Sequence, residues 1–149
     1  MQQEMVMEIV EWGTPAYEET LQLRDEVLRK PLGMSIAKDS LEGEERDIHI
    51  RARLGLATVG VLVLSPQEED TLKMRQVAVD ESLRGQQIGR RMVVFAEEIA
   101  REKGYARFVL NARQVAIPFY EKLGYSIISE EFTEVGIPHR KMAKLLQSE

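Results

Sequence analysis

Apolar and polar positions change period several times along this chain, and each change marks an element. Residues 5–11 hold Met5, Val6, Met7, Ile9 and Val10 in one short run, which predicts a first strand. Thr14 and Pro15 then open a helix, since threonine caps well and proline loses nothing at the first helical position. Glu18 and Glu19 sit early, Arg29 and Lys30 late, and Pro31 with Gly33 stops the pattern. Residues 33–47 are polar and acidic, with Glu42, Glu44, Glu45 and Asp47 close together; a solvated loop or short helix is the ordinary reading. Residues 49–53 and 57–65 predict two strands joined at Gly55, and a second turn over 65–70 leads into a strand over 71–79, an antiparallel meander. From Ile88 onward Met92, Phe95, Ala96, Ile99 and Ala100 recur at helical spacing, with Arg90, Arg91, Glu97, Glu98 and Arg101 mostly opposite and Gly104 closing the helix. Phe108, Val109 and Leu110 mark a fifth strand over 107–112. A short helix starts near Ala116 and ends at Gly124, a strand runs through Tyr125, Ile127 and Ile128, and residues 139–146 supply the last one.

Composition narrows the class of function. The 149 residues fit one domain with a substantial core. Apolar runs are too short to span a membrane, and no basic region followed by an apolar core opens the chain, so the cytoplasm is the expected compartment. With no cysteine there is no disulfide, no thiolate-bound zinc and no cysteine-linked acyl-enzyme, and two distant histidines, His49 and His139, make a metal site unexpected. A net charge of −5 disfavours general nucleic-acid binding.

Chemistry concentrates between residues 72 and 104, in an order of strand, loop and helix. The loop Arg84-Gly85-Gln86-Gln87-Ile88-Gly89-Arg90 contains no proline, so every backbone N–H donor is present where the helix begins. Those unpaired donors and the positive end of the helix dipole make a phosphate-sized anion site. A P-loop would need Gly-Lys before Ser or Thr, and a dinucleotide fingerprint three glycines and a distant acid; neither is here.

The loop resembles the cofactor loop of the GNAT superfamily of acyl-CoA N-acyltransferases: Arg84 first and Gly89 last, after Val77-Ala78-Val79, with Gln87 where the family has glycine. A side chain at Gln87 makes a positive backbone φ costly. Phe119-Tyr120-Glu121-Lys122-Leu123-Gly124-Tyr125 is similar to a second GNAT signature, and residues 132–139 resemble the same segment of small bacterial GNAT proteins; in all, the resemblance runs from Leu21 to Leu146. It implies a single acyltransferase domain over residues 1–149. It also implies an α/β fold: a mixed, mainly antiparallel twisted sheet of six or seven strands, about four helices, and a cleft between the fourth and fifth strands.

The activity implied is transfer of an acetyl group from acetyl-CoA, as co-substrate and without a metal, to a primary amine of a small molecule or peptide by direct attack in a ternary complex. The main chain of Val77, Ala78 and Val79 would hold the pantetheine arm and polarise the thioester. Arg84, Gly85, Gln86, Gln87, Ile88, Gly89 and Arg90 would hold the pyrophosphate, and Asn111 would contact the cofactor. Tyr120 resembles the family tyrosine that donates a proton to the leaving sulfur. Glu134 and His139 lie in the segment expected near the acceptor and are the candidates for a base; His49, on an early strand, reads as a structural hydrogen-bonder. Glu42, Glu44, Glu45 and Asp47 with Glu130, Glu131 and Glu134 suggest an acidic field that favours a cationic acceptor. A homodimer through the last strands is an option the family offers, and the rival to catalysis is a degenerate acyl-CoA-binding sensor of the same fold.

Overall fold

The computed structural model describes residues 4–83 and 85–146. Among the described residues eight strands form one sheet in the order β1-β2-β3-β4-β5-β8-β6, with β7 paired to β8. In chain order they are β1 (Met5–Val10), β2 (Ile48–Leu54), β3 (Ala57–Pro66), β4 (Thr71–Val79), β5 (Arg107–Arg113), β6 (Ser126–Ile127), β7 (Phe132–Glu134) and β8 (Ile137–Leu145). Among the described residues three α-helices accompany them: α1 (Pro15–Arg24), α2 (Ile88–Glu102) and α3 (Ile117–Lys122). The mixed α/β architecture expected from the sequence is therefore present, with one more strand and one fewer α-helix.

The extra strand is β7. Its three residues turn back onto β8 through Val135 and Gly136, both at positive φ, a hairpin bend that lacks the asparagine or aspartate by which such turns announce themselves. The helix expected to run from Thr14 to about Lys30 is α-helical only to Arg24; from there the chain continues as a π-helix over Asp25–Arg29 and a 3₁₀ turn over Lys30–Leu32 before Gly33. At the other end of α1 the predicted cap is in place, with the Thr14 hydroxyl accepting from the Tyr17 N–H and Pro15 in the first turn.

Helices cover both faces of the sheet. On one face α2 lays Ile88, Met92, Ala96 and Ala100 onto Ile50, Leu62, Leu64, Leu72, Met74, Phe108 and Leu110, and α3 adds Ile117 and Tyr120. Gly60 permits this packing, because a Cβ there would stand 2.9 Å from the Met92 sulfur. On the opposite face the α1 side contributes Leu23, Val27 and Leu28, which pack on Val61 and Ala78.

The solvated loop or short helix expected over residues 33–47 is present as two 3₁₀ turns, Ile36–Lys38 and Glu44–Arg46, with Glu42 and Glu45 exposed, but one of its acids packs under α1. Glu44 is fully buried, accepting from Arg24 at 2.8 and 3.0 Å, from Tyr17 at 2.7 Å and from Arg75 at 3.1 Å. Arg75 also pairs with Asp47 at 3.1 Å. His49 has the structural role expected of it, its Nε2 standing 2.7 Å from the Glu44 carbonyl. Sequence alone read a charge run; the fold turned part of it into a buried ion pair whose partners come from two other elements, α1 and β4.

One interruption of the sheet makes the site. β4 and β5 run parallel and pair only from Thr71 to Lys73 with Arg107 to Val109; beyond that level they diverge. The opened edge of β4 from Met74 to Val79 has no strand partner on its β5 side. A bulge adds to this: Val61 opposes Ala78 and Val63 opposes Arg75, so Gln76 and Val77 together face Leu62, with Gln76 at φ 56°.

Candidate active site

Between the parted strands lies a cleft of about 1090 Å³, the right order for an extended cofactor and a small acceptor. One flank of it is the loop at the start of α2. Gln87 is the N-cap of α2 at φ 62°, so the left-handed conformation that the sequence made costly for a glutamine is nonetheless the one adopted. Its side chain makes no capping hydrogen bond; its Oε1 instead accepts from Arg90 Nη1 at 3.2 Å. The first intrahelical bond recorded there runs from Arg91 N–H to the Gln87 carbonyl, which leaves the N–H groups of Ile88, Gly89 and Arg90 as first-turn donors. Gly85, at φ 91°, has open space where a Cβ would point.

The residues proposed for the cofactor from sequence fall into three groups. Val77, Ala78, Val79, Gly85, Gln87, Gly89, Arg90 and Asn111 all line the cleft. Gln86 is exposed and Ile88 buries its side chain in the core, so neither side chain lines it and only their main chain is available. Arg84 lies outside the described residues.

Tyr120 reaches the same cleft from α3. Phe119 and Tyr125 pack edge-on against its ring, with centroids 5.0 and 5.8 Å away. The Tyr125 hydroxyl in turn donates to Glu97 at 2.8 Å, and Lys144 donates to Glu97 at 3.0 Å and to the Leu123 carbonyl at 2.7 Å. This buried network pins the end of α3 to α2 and β8, and so fixes the Tyr120 ring. The Tyr120 hydroxyl itself has no hydrogen-bond partner among the described residues. Burial pushes its pKa well above the ordinary tyrosine range, so at neutral pH it is a proton donor awaiting an acceptor.

The second face of the cleft belongs to β5, β8 and the end of the α1 segment. Leu110 and Ala112 point to the α2 side, so Asn111 and Arg113, alternating with them, point to the α1 side. His139 of β8 stands directly across the ladder from Arg113 and shares its face. Its Nδ1 lies 2.8 Å from the Ile137 carbonyl, which can only accept, so Nδ1 carries the proton and Nε2 presents its lone pair in the neutral ring. That Nε2 is 3.5 Å from Glu134, which also accepts from Asn111 at 3.2 Å, while Phe132 stacks on the imidazole. All three catalytic candidates, Tyr120, Glu134 and His139, thus line one cleft although they arise from α3, β7 and β8.

Of the seven acidic residues expected to surround the acceptor, only Glu134 lines the cleft. Glu44 and Asp47 are consumed by Arg24 and Arg75, and Glu42, Glu45, Glu130 and Glu131 are exposed elsewhere. Sequence reasoning passed over Arg29 and Arg113, which do line it. Arg113 was within reach of strand periodicity, since it lies two residues beyond Asn111 and must share its face.

The chain matches the family description Acetyltransferase (GNAT) domain over residues 21–146. It belongs to the GNAT acetyltransferase family. A Bacillus subtilis relative named as the uncharacterized N-acetyltransferase YjcF is 32% identical over 123 residues, covering 82% of this chain and 87% of the relative. Among solved structures, a candidate N-acetyltransferase from Lactobacillus plantarum shares the fold with a TM-score of 0.87 at 24% identity, covering 96% of this chain and 99% of that one. An aminoglycoside 6'-N-acetyltransferase solved with coenzyme A superposes with a TM-score of 0.76 at 20% identity, over 97% of this chain and 98% of the other. The chain is thus an acyltransferase of the GNAT type, and its sheet with parted β4 and β5 is the GNAT fold. Among the described residues no helix is long and apolar enough to cross a membrane.

Proposed function

We propose that this GNAT protein transfers an acetyl group from acetyl-CoA to a primary amine by direct attack in a ternary complex, with one domain providing both subsites. The observation that carries the reading is that the parted strands join two chemically different faces. On the α2 side lie first-turn N–H groups without intrahelical partners and a tyrosine hydroxyl unpartnered among the described residues; on the α1 side lies a histidine whose Nε2 stands 3.5 Å from a carboxylate.

Acetyl-CoA fits the residues present. The first-turn N–H groups of α2 and Arg90 would take the pyrophosphate, and the open β4 edge has main-chain groups in need of partners for a pantetheine arm to pair with. Bound there, acetyl-CoA supplies the activated acyl group. Main-chain donors around the bulge at Gln76 and Val77 would polarise the thioester carbonyl. The amine, an ammonium ion in solution, would be drawn by Glu134 and give a proton to His139 Nε2, while Tyr120 protonates the departing thiolate. Asn111 acts here as a positioning residue through its hydrogen bond to Glu134 rather than as a cofactor contact.

The direct test is release of free CoA from acetyl-CoA when the protein is offered a panel of primary amines, with the acetylated product identified by mass. Acceptor-dependent release is expected. Acetyl-CoA binding without turnover on any amine would instead favour a sensor of the same fold.

A further inference from the structure

Charge on the acceptor face is unevenly spent. Arg29 is held by Asp39 in a two-pronged pair at 2.8 and 2.9 Å, and Arg75 is occupied by Glu44 and Asp47. Arg113 makes no hydrogen bond or ion pair among the described residues, although it is partly buried and lines the cleft. Burial, followed by the nearby charge of Arg29, disfavours its charged form, and Glu134 offsets this only in part. An arginine does not discharge near neutral pH, so an unpaired guanidinium in a half-buried cleft leaves a favourable pairing unmade. Lys73 is also unpaired among the described residues, but it sits level with Val109 where the strands part, roughly 13 Å along β5 from Arg113 at strand rise.

We propose that the acceptor carries an oxyanion, a carboxylate or a phosphate-like group, a few bonds from its amine, and that Arg113 binds it. The inference rests on the acetyl-transfer reading and names the substrate class of that site. Geometry sets the spacing: Arg113 and His139 face each other across the β5–β8 ladder, where opposed Cβ atoms stand about 5 Å apart. An amine delivered to His139 and Glu134 therefore places a neighbouring anion against the guanidinium within one small molecule. The planar fork of arginine suits two oxygens at once. Glu134 and Arg113 together select a zwitterion: the carboxylate takes the ammonium end and the guanidinium takes the other.

The test uses matched probes: ω-amino carboxylates of increasing length, their amides, the corresponding aminoalkylphosphonates and plain diamines. Carboxylate or phosphonate probes should exceed the amide of the same length in kcat/KM by on the order of 10- to 100-fold, the range for one charge-assisted contact. Which anion wins tells the two sources apart. Arg113→Gln should bring the ratio near one by raising the acceptor KM, without a matching rise in the KM for acetyl-CoA. Thermal shift by the same probes in the presence of CoA gives a readout independent of turnover. If no probe is acetylated but the anionic ones still stabilise the wild type more than their amides, and Arg113→Gln erases that difference, the transfer reading fails and the anion site stands. Equal shifts and equal rates for carboxylate and amide, or a preference for diamines, would overturn the anion site alone.

Discussion

Gly89 and Phe119 occupy one packing position between them: a Cβ on Gly89 would stand 3.3 Å from Phe119 Cζ and 3.8 Å from Val79 Cγ2. The last glycine of the loop therefore serves the contact between α2 and α3 as well as the approach of a ligand. Gly89→Ala gains helix propensity worth about 1 kcal/mol and loses a comparable amount to the ring contact, so melting temperature should change little. Gly89→Leu should cost about 1–3 kcal/mol by overpacking. Thermal denaturation with and without acetyl-CoA checks both. An alanine variant that keeps its melting temperature but loses the acetyl-CoA-induced shift would show that the glycine faces the ligand instead.

Gln87 holds a left-handed conformation that costs a residue with a side chain about 1–2 kcal/mol relative to glycine. Gln87→Gly should therefore leave stability equal or higher, and acetyl-CoA should still raise the melting temperature in proportion to its affinity for the folded state. Calorimetric titration decides between two roles for the side chain. Weaker binding in Gln87→Gly would make the glutamine, with the Arg90 guanidinium it orients, a contact of the pyrophosphate.

What the sequence makes legible divides along the reach of each interaction. Caps, strand periods and the amphipathic stripe of α2 are local, and Thr14, Gly104 and the run from Ile88 to Ala100 announce them. The two signatures around Gly89 and Tyr120 placed the cleft for the same reason, because each is a contiguous stretch. What stayed hidden depends on residues far apart in the chain. Glu44 meets Arg24, Tyr17 and Arg75 over 20 to 31 positions, and no charge count distinguishes such a glutamate from its exposed neighbour Glu45. β7 escaped because three residues carry too little periodicity and its turn is built on Val135, a poor residue for positive φ. The acidic field around the acceptor failed for the same long-range reason: most of its carboxylates are either paired on the α1 side or turned away.

Glu44 should also govern acid stability. Burial alone would raise its pKa, but hydrogen bonds from Arg24 and Tyr17 with the charges of Arg24 and Arg75 prevail and hold it at about 2. A carboxyl depressed in the folded state stabilises above its unfolded pKa of roughly 4.3 and loses that contribution as pH falls toward the folded value. Wild-type stability should thus drop by about 3 kcal/mol between roughly pH 5 and pH 1 on account of this group. Glu44→Gln should be less stable at neutral pH by about 3–5 kcal/mol, because Arg24 is left buried without a counter-charge, and its stability should fall less steeply over the same acid range. Urea denaturation across that range tests the sign; parallel pH profiles for the two proteins would contradict it.

Tyr120 gives the cleanest separation of chemistry from folding. Its hydroxyl bonds to no described residue, so Tyr120→Phe retains the ring packing with Phe119 and Tyr125 and should leave the melting temperature and acetyl-CoA affinity nearly unchanged. Turnover should fall by a factor on the order of 10 to 1,000, the range for one positioned acid. Single-turnover measurement ensures that chemistry is what is observed, and an unchanged rate there would remove Tyr120 from the mechanism.

His139 and Glu134 pose the remaining question, whether the amine loses its proton to a side chain or to solvent. The Nδ1 contact with the Ile137 carbonyl fixes the ring so that Nε2 is the atom left to take a proton, and it stands 3.5 Å from Glu134. His139→Gln should lower kcat/KM at neutral pH by on the order of 10²- to 10⁴-fold and shift the rising limb of the pH–rate profile upward, toward the pKa of the amine itself. Glu134→Gln keeps the hydrogen-bonding shape and the Asn111 contact but removes the charge, so its loss should be smaller and should appear mainly in the acceptor KM. The two variants separate a base from a solvent route because a water chain would leave the rising limb where it was. An unmoved limb in His139→Gln, with acetyl-CoA affinity intact, would assign deprotonation to solvent and leave His139 as the residue that orients Glu134.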